Sequence, residues 1–78
     1  MKFFISNIGE EVTEDSLSAV VSTFGKVSFL KIISDTQRNK GAYIEMPDEE
    51  EAFLAISKLN GSYVNGRIIT ASRFSVAS

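Results

Sequence analysis

The chain has no cysteine and no histidine among its 78 residues. Disulfide frameworks, thiolate nucleophiles, zinc sites and imidazole acid/base chemistry are therefore excluded together. Tryptophan is absent too, and there is one proline. No apolar run is long enough to span a bilayer, and the opening Lys2-Phe3-Phe4-Ile5 is too brief for the hydrophobic region of a signal peptide. The default expectation is a cytoplasmic address without a membrane partner. A chain this short hides only about 60% of the surface its unfolded form exposes, which leaves little stability for strained pockets or buried charge. A non-enzyme with one small core over residues 1–78 is expected, with 73–78 as a candidate tail. No cofactor and no metal is implied.

An excess of positive charge is also missing, since eight basic residues stand against ten acidic ones for a net charge of −2. The distribution is more informative than the sum. Eight of the acids fall in two blocks, Glu10, Glu11, Glu14 and Asp15, then Asp48 to Glu51. Each block precedes a helical pattern, where negative charge favours the helix dipole. The bases Lys2, Lys26, Lys31, Arg38, Lys40, Lys58, Arg67 and Arg73 are scattered, mostly over expected strands and the loops between them. Any basic face is a strand face.

Residues 2 to 8 are short, apolar and aromatic, and Gly9 follows, which predicts a strand. Thr13 is a good N-cap, Val12 and Leu17 stand where a hydrophobic staple would, and Leu17, Val20, Val21 and Phe24 recur at helical spacing up to Gly25. Val27 to Ser34 is β-branched, Asp35 to Gly41 is polar, and Ala42 to Met46 is apolar again, which gives two strands and a loop. Asp48 with Glu51 reads as a capping box, opening a helix with Ala52, Ala55, Ile56 and Leu59 on one face and Asn60-Gly61 at its end. Tyr63-Val64 is a small ribbon, Asn65-Gly66 a tight turn, and Arg67 to Ser72 the final strand.

The order is thus βαββαβ, an α+β ferredoxin-like arrangement with two helices on one face of a four-stranded antiparallel sheet. Strand parity sends Phe3, Ile5, Leu30, Ile32, Ala42, Ile44, Met46, Ile69 and Ala71 toward the helices. Lys2, Phe4, Ser6, Phe29, Lys31, Ile33, Gly41, Tyr43, Glu45, Ile68, Thr70 and Ser72 then face the uncovered side. Aromatic rings on an open face call for an explanation.

At these residues the chain resembles the RNA recognition motif family, over about residues 2 to 74. Phe3-Phe4-Ile5-Ser6-Asn7-Ile8 is similar to the family's six-residue motif. Lys40-Gly41-Ala42-Tyr43-Ile44-Glu45-Met46 is similar to its eight-residue motif, one residue short. Read backward from Met46, Gly41 takes the first aromatic slot; either alignment removes one stacking ring. Phe24-Gly25-Lys26-Val27, Glu51-Ala52 to Leu59-Asn60-Gly61 and Asn65-Gly66-Arg67-Ile68-Ile69 agree at the family's spacing. Met46 in place of an aromatic, with the short chain, is similar to small stand-alone bacterial members.

The resemblance implies binding of single-stranded RNA, or single-stranded DNA, on the sheet. Phe4 and Tyr43 would stack two neighbouring bases, Lys2, Lys31, Arg38, Lys40 and Arg73 would neutralise phosphates, and Ser6, Thr70 and Ser72 would contact base edges. With one platform ring missing, low affinity is expected. Phe29 and Ile33, on the sheet-edge strand, either widen the platform or pack under a loop. The alternative is a protein partner or self-association through the helical side, where Phe53 and Leu54 fall outside the inward stripe; partial burial against the helix flank or Tyr63 is the plainer account of that pair. Asp48 to Glu51 point in different directions on a helix and do not converge on an ion. Phe74, in the tail, either extends the last strand or folds over the open face.

Overall fold

The computed structural model describes residues 1–9, 11–34, 40–64 and 66–73. The loop expected around 35–39, Asn65 of the hairpin turn, and Phe74 with the rest of the tail lie outside the described residues. In chain order the elements are β1 (Lys2–Ser6), α1 (Glu14–Val21), β2 (Phe29–Ser34), β3 (Lys40–Glu45), α2 (Glu49–Leu59), β4 (Tyr63–Val64), β5 (Arg67–Ile68) and β6 (Thr70–Arg73). The main sheet is antiparallel in the order β2-β3-β1-β6, so the two motif-bearing strands are central. Strands β4 and β5 form a separate ribbon.

The core is the expected one. Phe3, Ile5, Ala42, Ile44, Met46, Ile69 and Ala71 are buried against Leu17 and Val21 of α1 and Ala52, Ala55 and Leu59 of α2. Burying each large side chain is worth about 1.5–3 kcal/mol. Leu30 and Ile32 are only partly buried, as suits an edge strand. Ile8 is also fully buried, although strict alternation would turn it outward with Phe4 and Ser6. Asn7 adopts a left-handed backbone (φ 67°), a conformation that Asn tolerates, and this resets the alternation so that the next side chain enters the core.

Helix α1 begins at Thr13, whose hydroxyl accepts from the Ser16 N–H (3.1 Å) while Ser16 Oγ accepts from the Thr13 N–H (3.1 Å). The staple residues Val12 and Leu17 are both buried. The helix proper ends at Val21, earlier than Gly25. Thr23 and Phe24 N–H groups then donate to the carbonyls of Val20 and Val21, a tightened turn that carries Phe24 onto the core.

In α2 the expected capping box is only half formed. Asp48 accepts from the Glu51 N–H (3.0 Å), but the Glu51 carboxylate accepts from the Lys26 N–H (3.1 Å). Glu51 thus satisfies a distant loop donor instead of its own N-cap.

The expected final strand is two strands. The Ile69 N–H donates to the Ser62 carbonyl (2.9 Å), and the Ile69 carbonyl accepts from the Gly61 N–H (2.8 Å). Committed to that turn, Ile69 breaks the ladder, and only Thr70 to Arg73 joins β1. Both sheet edges are covered in part by side chains. Glu14 accepts from the Ile32 N–H on β2 (3.2 Å) and Asn60 Oδ1 from the Ala71 N–H on β6 (3.2 Å), which blunts edge-to-edge pairing.

Candidate functional site

Register arranges the open face in rows that cross the strands. One row reads Lys31, Tyr43, Phe4, Ser72, since Tyr43 pairs with both Lys31 and Phe4, and Phe4 with Ser72. The next reads Ile33, Gly41, Ser6, Thr70, and a third reads Phe29, Glu45, Lys2. Directly opposed residues of an antiparallel pair have Cβ atoms only about 4.5–5.5 Å apart. Phe4 and Tyr43 are therefore side by side at the centre of the sheet, each half-buried.

The ring of Phe4 lies diagonally across Gly41. A Cβ added at Gly41 would fall 2.6 Å from Phe4 Cε1 and 2.9 Å from the Ile5 carbonyl oxygen. The missing side chain is thus the seat of a neighbouring ring, an arrangement in which an aromatic covers a strand glycine. The row of Gly41 carries no ring of its own.

Phe29 widens the aromatic surface. It is 46% exposed and meets Tyr43 edge to face, with ring centroids 5.9 Å apart and planes at 64°, a favoured aromatic geometry. Ile33 is exposed beside Gly41. Lys2, Lys31, Thr70 and Ser72 are exposed and Ser6 is half-buried, so these five, with Phe4 and Tyr43, share one face as expected.

Two cations, Arg73 and Lys40, do not share that face. Arg73 lies on the helical side, its guanidinium carbon 5.3 Å from the centre of the Phe53 ring. Ala71 is buried in the core, and Arg73, two residues on, has the same parity; charge was the wrong guide to its direction. Lys40 opens β3 on the parity of buried Ala42 and Ile44, not that of Tyr43. Arg38 lies outside the described residues.

On the helical side Phe53 and Leu54 are 45% and 46% exposed. The Arg73 guanidinium meets the Phe53 ring, and Tyr63 is itself largely exposed. Among the described residues no cluster of three carboxylates is placed to hold a metal ion, and no helix is long and apolar enough to cross a membrane.

The family model described as RNA recognition motif matches residues 3–70. A protein of the cyanobacterium Nostoc sp. whose name describes an RNA-binding protein, RbpA, is 33% identical over 76 residues, covering 94% of this chain and 74% of that protein. Zinc finger CCCH domain-containing protein 25 of rice is 33% identical over 75 residues, 92% of this chain. The chain spans 24%, 19% and 39% of the lengths of three plant relatives it matches. Among solved structures, the Rna15 RRM with bound RNA (GU) superposes with a TM-score of 0.85 at 28% identity, covering 99% of this chain and 85% of that one.

Proposed function

The chain belongs to the RNA recognition motif family, and from that premise we propose that it binds single-stranded RNA across the open face of its sheet. The observation that carries this reading is the row Lys31, Tyr43, Phe4, Ser72. It sets two rings shoulder to shoulder, with a cation at one end and a hydroxyl at the other.

An unpaired base has an apolar π-face, and laying it on a ring removes both faces from water, a gain of about 1–3 kcal/mol per base. Phe4 and Tyr43 take neighbouring bases, and Phe29, braced edge-on against Tyr43, extends the surface toward β2. Lys2 and Lys31 lie against the phosphates. Ser6, Thr70 and Ser72 offer hydroxyls to base edges or to the ribose 2′-OH, the group by which a protein tells RNA from DNA.

Affinity is low in this reading. Relative to a platform with a third ring in the Gly41 row, one lost stack weakens binding by about 5- to 150-fold. The net charge of −2 supplies no general attraction for a polyanion, so contacts depend on individually placed cations.

The test is a titration of the protein with a fluorescein-labelled random-sequence eight-nucleotide RNA, beside DNA of the same design and an RNA duplex. Saturable binding of the single strands, weakened on Phe4→Ala and absent for the duplex, is the expected result. A protein that binds none of the single strands at millimolar concentration would overturn the proposal.

A further inference from the structure

Beyond the end of β1, a side chain that the aromatic rows do not use is held in place from two sides. Asn7 Nδ2 donates to the Ile68 carbonyl (2.9 Å), and Asn7 Oδ1 accepts from Arg67 Nη1 (3.1 Å). Gly9, with a left-handed backbone (φ +85°), has no side chain where Arg67 passes: a Cβ there would fall 3.0 Å from both Arg67 Cδ and Nε. Arg67 therefore rests its stem on bare backbone and docks its fork on an amide oxygen, yet the residue remains exposed.

A guanidinium has five N–H donors in a fixed plane. Among the described residues Asn7 is its one hydrogen-bond partner, through one of those donors. The docking removes rotamer freedom before any ligand arrives, which lowers the cost of binding. Planar, permanently charged donors with that geometry match the oxygens of a phosphodiester.

Asn7 follows Ser6, which pairs with Thr70, so the docked fork lies at the end of the sheet bounded by the Ser6–Thr70 row. Lys31 flanks the aromatic pair on the β2 side, and Lys2 lies at the opposite end of β1. A strand laid over Phe4 and Tyr43 meets a cation at each of those places and still needs one where it passes Ser6.

We propose that Arg67, held by Asn7 over Gly9, is a backbone-phosphate anchor for single-stranded nucleic acid where the strand leaves the sheet past Ser6 and Thr70. The inference rests on the open-face reading above and adds to it a site outside the aromatic rows.

The experiment measures the salt dependence of binding to the labelled eight-nucleotide RNA for the wild type, Arg67→Gln, Arg67→Lys and Phe4→Ala, after thermal melts of each. Arg67→Gln is expected to weaken binding several-fold and to flatten the log–log salt slope by about 0.7, the value of one phosphate contact on a single strand. Arg67→Lys keeps the slope but loses affinity, because an ammonium does not reproduce the docked fork. A clasp that only ties β5 to β1 would lower the melting temperature in both variants and change neither slope nor affinity, which would overturn the proposal. If Arg67→Gln fails to fold, the affinity of Arg67→Lys decides alone, and a value equal to the wild type refutes it. Phe4→Ala separates the two claims: if it weakens binding while the Arg67 variants do not, only the anchor fails; if it too has no effect, the open-face reading fails with it.

Discussion

Phe4 is seated on Gly41: its ring covers the backbone of the glycine two residues before the one it pairs with. The position at which the sequence departs from the family's aromatic pattern is therefore part of the platform, because it lets the neighbouring ring lie down. An alanine at Gly41 would press on the ring, which can swing, and on the Ile5 carbonyl, which cannot move without straining the β1–β3 ladder. Gly41→Ala is expected to cost about 1–3 kcal/mol of stability, as overpacked positions do, and to weaken RNA binding. Urea denaturation and an RNA titration on the same variant check both effects. A wild-type midpoint with wild-type affinity would show that the ring does not depend on that seat.

Phe4 and Tyr43 are directly opposed on adjacent strands. Each alanine substitution should weaken RNA binding by about 1–3 kcal/mol, and the double variant should lose less than the sum, since directly opposed residues share partners. Calorimetric titration of the four proteins in the cycle gives the coupling. Strict additivity would mean that the two rings bind independently.

Arg73 belongs to the helical side. Arg73→Gln should leave the salt slope for RNA unchanged while costing about 0.5–1 kcal/mol of stability, the range of an exposed cation–π contact. In a Phe53→Leu background that cost should vanish. A slope flattened by about 0.7 would instead return Arg73 to the RNA.

Glu45 faces the open side opposite both Lys2 and Phe29, a negative charge beside the platform. Glu45→Gln should tighten RNA binding, most at low salt, with the gain shrinking as ionic strength screens the repulsion. Affinities at two salt concentrations test this; a looser complex at low salt would show that Glu45 contributes a favourable contact.

Much of this architecture is legible in local pattern. Alternation separated Phe3 and Ile5 from Phe4, helical spacing and Thr13 located α1, and the two motifs fell on adjacent central strands. What escaped depends on partners distant in sequence. Glu51 serves Lys26, 25 residues away, so a signal confined to four residues overstates its capping role. Ile69 bonds back to Gly61 and Ser62, which an alternating run of side chains does not record. Arg73 was legible by parity with Ala71, and that reading outranks the attraction of a positive charge to a nucleic-acid face. Gly41 looked like a loss because the ring that uses its space belongs to another strand.

RNA binding on the open sheet face is tested most directly by following the side-chain NMR resonances of Phe4, Tyr43, Phe53 and Leu54 while single-stranded RNA is added. Stacked bases should shift the Phe4 and Tyr43 ring signals upfield and saturably, with Phe53 and Leu54 unmoved. Shifts confined to Phe53 and Leu54, with both sheet-face rings silent, would contradict it and move the binding surface to the helices.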